Sequence, residues 1–320
     1  MEKSFIFIHF SSIFLQTFAI YDGNTAKPNQ FLHVALILTP DSFCTGSIIT
    51  NTHILTAAHC LRDTDKVTIH IGTQSIEKDS LEGTTYVSDN FYIHENFEMP
   101  SAVDDIGIIK LPQPLEFNHN IQQIAISTKK NIETDGKDKK VFLSGWGHTV
   151  NREDVAENLQ YTQMTLISLN ECKKYKKHYI EDLGKNHICA KKIKGMPCSG
   201  DSGSALIKDN KIVGILSYVK DAKNGKKIKN DCKANVPAVS LRISSYLAWI
   251  SEKTGIQFDE DDNEEDNSES EGDNEIQLSD SSSEDEDNDE ANESEDDDSN
   301  EKSDEENKNF EEDNGSDDNE

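Results

Sequence analysis

The chain has 320 residues and a formal net charge of −29, which argues against a partner such as nucleic acid that is held by overall positive charge. That charge sits at one end: residues 259–320 hold 33 Asp plus Glu and 2 Lys, a net of −31, so residues 1–258 carry +2. The hydrophobic fraction of 34% is diluted by the same acidic stretch, and the about 240 residues that remain are enough for one globular core.

Residues 1–19 read as a secretory signal, with Lys3 near the start, an apolar run from Phe5 to Leu15, and small residues Thr17 and Ala19 where a signal peptidase reads. A buried N-terminal strand is the alternative for this run. It is too short to cross a bilayer as a helix, which needs about 20 residues, and no later segment does better. A secreted, extracellular protein with no membrane partner is therefore expected.

Short β-rich runs separated by polar turns follow: Phe31–Leu38, Ser47–Leu55, Val67–Gly72, Ile106–Leu111, Val141–Leu143, Leu159–Ile167, Ile212–Tyr218 and Val236–Ile243. Many short strands with regular turn signals suggest an all-β barrel or sandwich. Beyond them Ile243, Leu247 and Ile250 fall on roughly one helical face, with Gly255 as a stop. The expected organisation is a signal over 1–19, one domain over 20–257, and a tail over 258–320.

Three segments carry the chemistry: Thr56-Ala57-Ala58-His59-Cys60, Asp104-Asp105-Ile106 and Cys198-Ser199-Gly200-Asp201-Ser202-Gly203. A serine hydroxyl is a poor nucleophile at neutral pH, so it needs an imidazole to take its proton and a carboxylate to fix the imidazole tautomer. A lone His or Asp is more often a surface or capping residue, and the joint occurrence in the order His, Asp, Ser is what gives the pattern weight. The six cysteines agree with export and allow fifteen pairings, among which sequence alone does not choose. No Cys-x-x-Cys or His-rich cluster supports a metal, and no cofactor is expected.

This constellation and its flanks resemble the chymotrypsin/trypsin family of serine peptidases over residues 20 to 257. The resemblance implies two antiparallel six-stranded barrels with a C-terminal helix and the site in the crevice between them. It assigns His59 as general base, Asp105 as its orienting acid and Ser202 as nucleophile, with the backbone N–H groups of Gly200 and Ser202 as the oxyanion hole. Asp104 is the rival acid, but the family places its aspartate directly before an apolar strand, here Ile106–Leu111. Ser144-Gly145-Trp146-Gly147 is similar to the family's segment at the start of the second barrel. The resemblance also implies the disulfides Cys44–Cys60, Cys172–Cys189 and Cys198–Cys232.

In the family a new N-terminal Ile or Val folds inward and pairs with the aspartate before the nucleophile, which implies an Ile20–Asp201 pair. Signal cleavage after Ala19 would release Ile20 with no propeptide, although Tyr21 and Asp22 depart from the usual residues. Activity is then expected to rise as His59 loses its proton and to fall as the Ile20 ammonium does. The family's specificity pocket maps onto Met196, Val219 and Ala238, and its substrate-backbone segment onto Ser217 and Tyr218. Met196 offers no carboxylate for a basic side chain, so cleavage after small or medium aliphatic residues is expected. Ser204 and Ala205 stand where the family usually has glycine and proline.

Between Tyr218 and Cys232 lie thirteen residues, and six Lys occur from Lys220 to Lys233. This is either a solvated loop or a basic rim at the pocket. Residues 258–320 hold almost no apolar material and are expected to be disordered. They could solubilise the chain, bind basic partners or divalent cations, or act on the lysines of 173–177 and 220–233. Ser281–Ser283 look like targets for acid-directed kinases, and Asn292 and Asn314 begin glycosylation sequons. The leading expectation is a monomeric secreted serine endopeptidase acting on protein or peptide substrates. The alternative is a non-catalytic homologue that binds through its basic loop and polyanionic tail.

Overall fold

The computed structural model describes residues 20–76, 83–99, 101–132, 138–148, 156–178, 183–219, 222–223, 226–227 and 235–258. The signal segment, most of the lysine-rich loop, Cys232 and the tail from residue 259 lie outside the described residues. Everything described belongs to the unit Met1–Ser268.

Two large sheets, both dominated by antiparallel pairing, are formed among the described residues, beside a two-stranded ribbon of Ala222–Lys223 with Lys226–Lys227. The first runs Thr84–Ser88, Val67–Ile71, Val34–Leu38, Phe43–Ile48, His53–Thr56, Gly107–Lys110, Phe91–Ile93. Its two end strands are halves of one segment bent at Asp89–Asn90, where Lys110 N–H donates to the Asn90 carbonyl at 2.9 Å. The second sheet closes on itself as a ring of six: Gln160–Ile167, Lys140–Gly145, Ala205–Lys208, Lys211–Tyr218, Ala238–Arg242, His187–Lys192, and back to Gln160–Ile167. The expected all-β architecture is present, with the helix Leu247–Thr254 at its end. Gly255 at φ 78° ends that helix, as a residue without a Cβ can.

Alternation builds the closed ring. Gln160, Thr162, Met164 and Leu166 face inward while Tyr161, Gln163 and Thr165 between them are half-exposed, the period-two pattern of a strand covered on one face. Three of the resulting apolar clusters position the crevice. Ile37, Ile54, Ile69 and Ile109 fill the first barrel, and Leu143, Met164, Ile188 and Val213 fill the second. Leu55 and Ile108 of the first meet Ile215, Leu241 and Trp249 in a shared core. Burial of each such side chain is worth about 1.5–3 kcal/mol, so that shared core holds the two halves in one relation and fixes the crevice between them.

One expected element is corrected. Ser47–Leu55 is two strands, Phe43–Ile48 and His53–Thr56, paired Ser47 to Leu55 and Ile48 to Ile54. Thr50 is the cause: its Oγ1 accepts from Thr52 N–H at 3.1 Å and lies 2.9 Å from His53 Nδ1. Such local side-chain bonds offer the backbone an alternative to the ladder and turn it.

Cys44–Cys60 and Cys172–Cys189 are bonded. Cys198 is also in a disulfide, and its expected bond to Cys232 falls on a residue outside those described. Cys172 and Cys189 are both buried and close a loop of 17 residues. Replacing both with alanine should destabilise the protein by about 3 kcal/mol and lower Tm by roughly 6–12 °C, as calorimetry would show.

Candidate active site

His59 sits on a short 3-10 turn, Ala58–Cys60, directly after the strand His53–Thr56. The Cys44–Cys60 disulfide ties that turn to the neighbouring strand. Asp105 is fully buried, and three donors converge on its carboxylate. His59 backbone N–H donates to Oδ1 at 2.8 Å, His59 Nδ1 lies 2.7 Å from Oδ2, and Ser217 Oγ donates to Oδ2 at 2.6 Å. An ionised carboxylate only accepts, so Nδ1 carries a proton and Nε2 is left free to accept one.

Asp104 is used differently. It accepts from Tyr246 Oη at 2.6 Å and lies 3.8 Å from His94 Nδ1, which fastens this loop to the residues leading into the C-terminal helix. Its φ of 48° turns its side chain away from the one that follows. Glu95 extends the same fastening: it accepts from Trp249 Nε1 at 2.8 Å and pairs with Lys253 at 2.8 Å. The Lys253 ammonium and the Trp249 donor hold Glu95 down at about 2.

Ser202 lies in a tight loop before the strand Ala205–Lys208, held from both barrels. Thr45 N–H donates to the Ser202 carbonyl at 2.9 Å and Thr45 Oγ1 to the Gly200 carbonyl at 3.1 Å. Gly203 N–H donates to Leu216 at 2.8 Å, and Ser204 Oγ to Ser144 at 2.9 Å. The serine at position 204 thus anchors the loop. Gly200 and Gly203 have φ of 97° and 82°. A Cβ on Gly203 would stand 2.3 Å from the Thr45 carbonyl oxygen and one on Gly200 2.2 Å from the Phe43 ring, so both positions require glycine.

Among the described residues neither Gly200 N–H nor Ser202 N–H donates within the protein, and no hydrogen bond joins Ser202 Oγ to His59. Hydrogen bonds of this kind are often long before substrate arrives. Ser202 and His59 face the same cavity.

Asp201 is fully buried, and it accepts from Gly147 N–H and Cys198 N–H, each at 2.9 Å. Burial pushes its carboxyl up to about 7, against the pull of those two donors. Among the described residues it is in no ion pair. Ile20 is fully buried in the second barrel's core, and its nitrogen is still in the peptide bond to Ala19. The next residue, Tyr21, bridges to Met196, whose N–H donates to the Tyr21 carbonyl at 2.9 Å.

The cavity beside Ser202 has about 210 Å³ and is lined by Met99, Ala102, Leu216, Tyr218 and Val219 together with the loop Cys198–Ser199. Met196 and Ala238 do not line it. They are buried in the second barrel's core with Ile20 and Leu216. Met99 and Ala102 were not singled out from sequence, and their only signal is that they closely precede Asp105. Ser217 was expected to pair with the substrate through its backbone, and its hydroxyl, which was not singled out from sequence, donates to Asp105. Cys44, His59 and Cys60 are the described grouping within metal-ligand spacing of one another, and both cysteines are oxidised.

The Trypsin family model matches residues 20–250. A collagenase from Hypoderma lineatum is 31% identical over 263 residues, covering 79% of this chain and 94% of that protein. Chymotrypsin-2 from Vespa crabro is 27% identical over 234 residues, covering 72% and 98%. A solved collagenase structure superposes with a TM-score of 0.62 at 28% identity, covering 75% of this chain and 100% of that one.

Proposed function

Since the chain belongs to the trypsin family and is a serine-type endopeptidase acting on peptide or protein substrates, we propose that His59, Asp105 and Ser202 are its catalytic triad. The carrying observation is the fully buried Asp105 carboxylate, 2.7 Å from His59 Nδ1 and 2.6 Å from Ser217 Oγ. Ser202 Oγ adds to the substrate carbonyl as its proton passes to His59 Nε2, and Asp105 stabilises the imidazolium. The oxyanion lies against Gly200 N–H and Ser202 N–H, worth about 3–4 kcal/mol for each donor. Collapse breaks the peptide bond, the amine leaves with the proton from His59, and water then releases the acyl group from Ser202 by the same steps in reverse.

A serine-directed phosphonate should label the purified protein on Ser202, and Ser202→Ala should abolish labelling. A wild-type protein that resists the reagent would instead support the non-catalytic homologue, binding through its loop and tail.

Specificity follows from the cavity of about 210 Å³ beside Ser202. Val219 lines it, whereas Met196 and Ala238 are buried in the second barrel's core. Ser217–Tyr218 offer backbone to an extended substrate. Among the described residues no carboxylate other than Asp105 reaches the lining, so a cationic side chain would be buried there without a partner, at a cost of several kcal/mol. Small or medium aliphatic residues before the scissile bond are preferred. In a peptide library kcat/KM for arginine there should be at least about 100-fold below that for valine or leucine, and equal values would overturn the assignment. The relatives' names span collagenase and chymotrypsin, so this preference rests on the present chain's own residues.

Signal cleavage after Ala19 frees Ile20 to pair with Asp201. The disulfides fit an extracellular setting. Residues 20–257 act as a monomeric catalytic domain, and the polyanion beyond them binds basic partners or divalent cations.

A further inference from the structure

A second cavity of about 400 Å³ opens on the other side of the same catalytic pair. Both cavities reach His59, Ser199 and Ser202. The first continues to Ser217, Tyr218 and Val219, and the second to the turn Thr39–Phe43 and to Asp63–Thr64. A peptide whose carbonyl carbon sits at Ser202 must place one arm in each. With the acyl arm along Ser217–Val219, the leaving arm enters the second.

Its lining has two parts. The floor is apolar: the Cys44–Cys60 disulfide and the half-buried Phe43 ring, which lies against Gly200 and 5.5 Å from the His148 ring. The rim is acidic, with Asp41 and Asp63 both exposed, and among the described residues no Lys or Arg joins the lining. Arg62 Nε, outside the cavity, donates to one Asp63 oxygen at 2.7 Å. Asp41 is in no ion pair among the described residues. It stands at the tip of a turn fixed by Thr39 N–H to the Ser42 carbonyl at 2.9 Å and Ser42 N–H to Thr39 Oγ1 at 3.1 Å. An apolar floor under an acidic rim matches a long side chain with an aliphatic stem and a cationic end, and a guanidinium can also lie on the Phe43 ring.

We propose that this enzyme selects arginine, and lysine after it, in the first positions beyond the scissile bond, through Asp41 and Asp63. The proposal rests on the triad reading above, and the test separates the two. The acyl-enzyme formed from a small aliphatic ester is offered arginine amide, glutamine amide or glutamate amide as well as water. The nucleophile's α-amine forms the new amide bond, the ester bond to Ser202 breaks, and the α-amine proton passes through His59 to Ser202 Oγ. Partition between transfer and hydrolysis reads the leaving side alone, because both products come from one intermediate.

Arginine amide should capture the acyl group about five- to tenfold more efficiently than glutamine amide, with glutamate amide poorest. The ratio should fall towards one in 1 M salt. Asp41→Asn and Asp63→Asn should each reduce it, and the double variant should remove it. Turnover of the ester with equal capture of all three amides would overturn the acidic subsite alone. No turnover of the ester would overturn the triad reading and the subsite with it.

Discussion

Asp105→Asn should lower kcat by about 10⁴-fold with little change in KM, whereas Asp104→Asn should stay within a few-fold of the wild type. The hydrogen bonds at Asp105 dictate the first result. Oδ1 accepts from the His59 backbone N–H, a group that can only donate, so the asparagine oxygen must take that place. Its NH₂ then falls where Oδ2 was, facing His59 Nδ1. Facing a donor, Nδ1 has to give up its proton, and the tautomer shifts to Nε2–H. That nitrogen no longer accepts the proton of Ser202, although the ring stays in place. Ser217 does not oppose the change, because its hydroxyl can turn from donor to acceptor. Asp104 gives the contrast, since an asparagine oxygen still accepts from Tyr246. Steady-state kinetics on both variants would check this, and equal losses would sink the assignment of the acid.

A single alanine placed ahead of Ile20 should lower activity near neutral pH by two to three orders of magnitude. Breaking or withholding one partner of a buried ion pair costs about 3–5 kcal/mol, and Asp201 is the group left unpaired. Its backbone neighbours supply both candidate oxyanion donors, so the cost falls on the working form of that loop. The same carboxyl predicts a pH signature. Burial raises it to about 7 in the folded, unprocessed chain, from 3.8 as its ordinary value. A group with a raised folded pKa contributes stability that is full below the unfolded value and lost as pH rises through the folded value. The extended form should therefore lose up to about 4 kcal/mol between pH 4 and 7. The form beginning at Ile20, with an ammonium to hold the carboxylate, should be nearly level across that window. Thermal unfolding of both forms from pH 4 to 8 would check it, and parallel curves with equal activity would refute the pairing.

Much of the site was legible because each of its three pieces is a short, contiguous string of distinctive residues. What the strings lack is their mutual contacts. Ser217 meets Asp105 across a separation of 112 residues, and Thr45 meets Gly200 across 155, and neither pair has any local signal. The strands Thr84–Ser88, His187–Lys192 and Ala205–Lys208 went unread for a related reason. They carry Ser, Thr, His or Lys at positions that a ring of partners buries or half-covers, so their alternation is faint without those partners. Asp104 and Asp105 show the gain from structure most clearly. Adjacent and chemically identical, they are distinguished by where a left-handed backbone turn sends each carboxylate.

The contacts that cross between the barrels also bear on when the chain becomes able to cut. The first barrel alone can bring His59 to Asp105, but it holds no serine at that point, and Asp105 lacks the Ser217 donor. The second alone carries Ser202 on a loop whose carbonyls await Thr45. If these residues form the triad, cleavage cannot begin until both halves have closed on one another. On the triad reading, dividing the site across two barrels ties the onset of cleavage to completion of the fold.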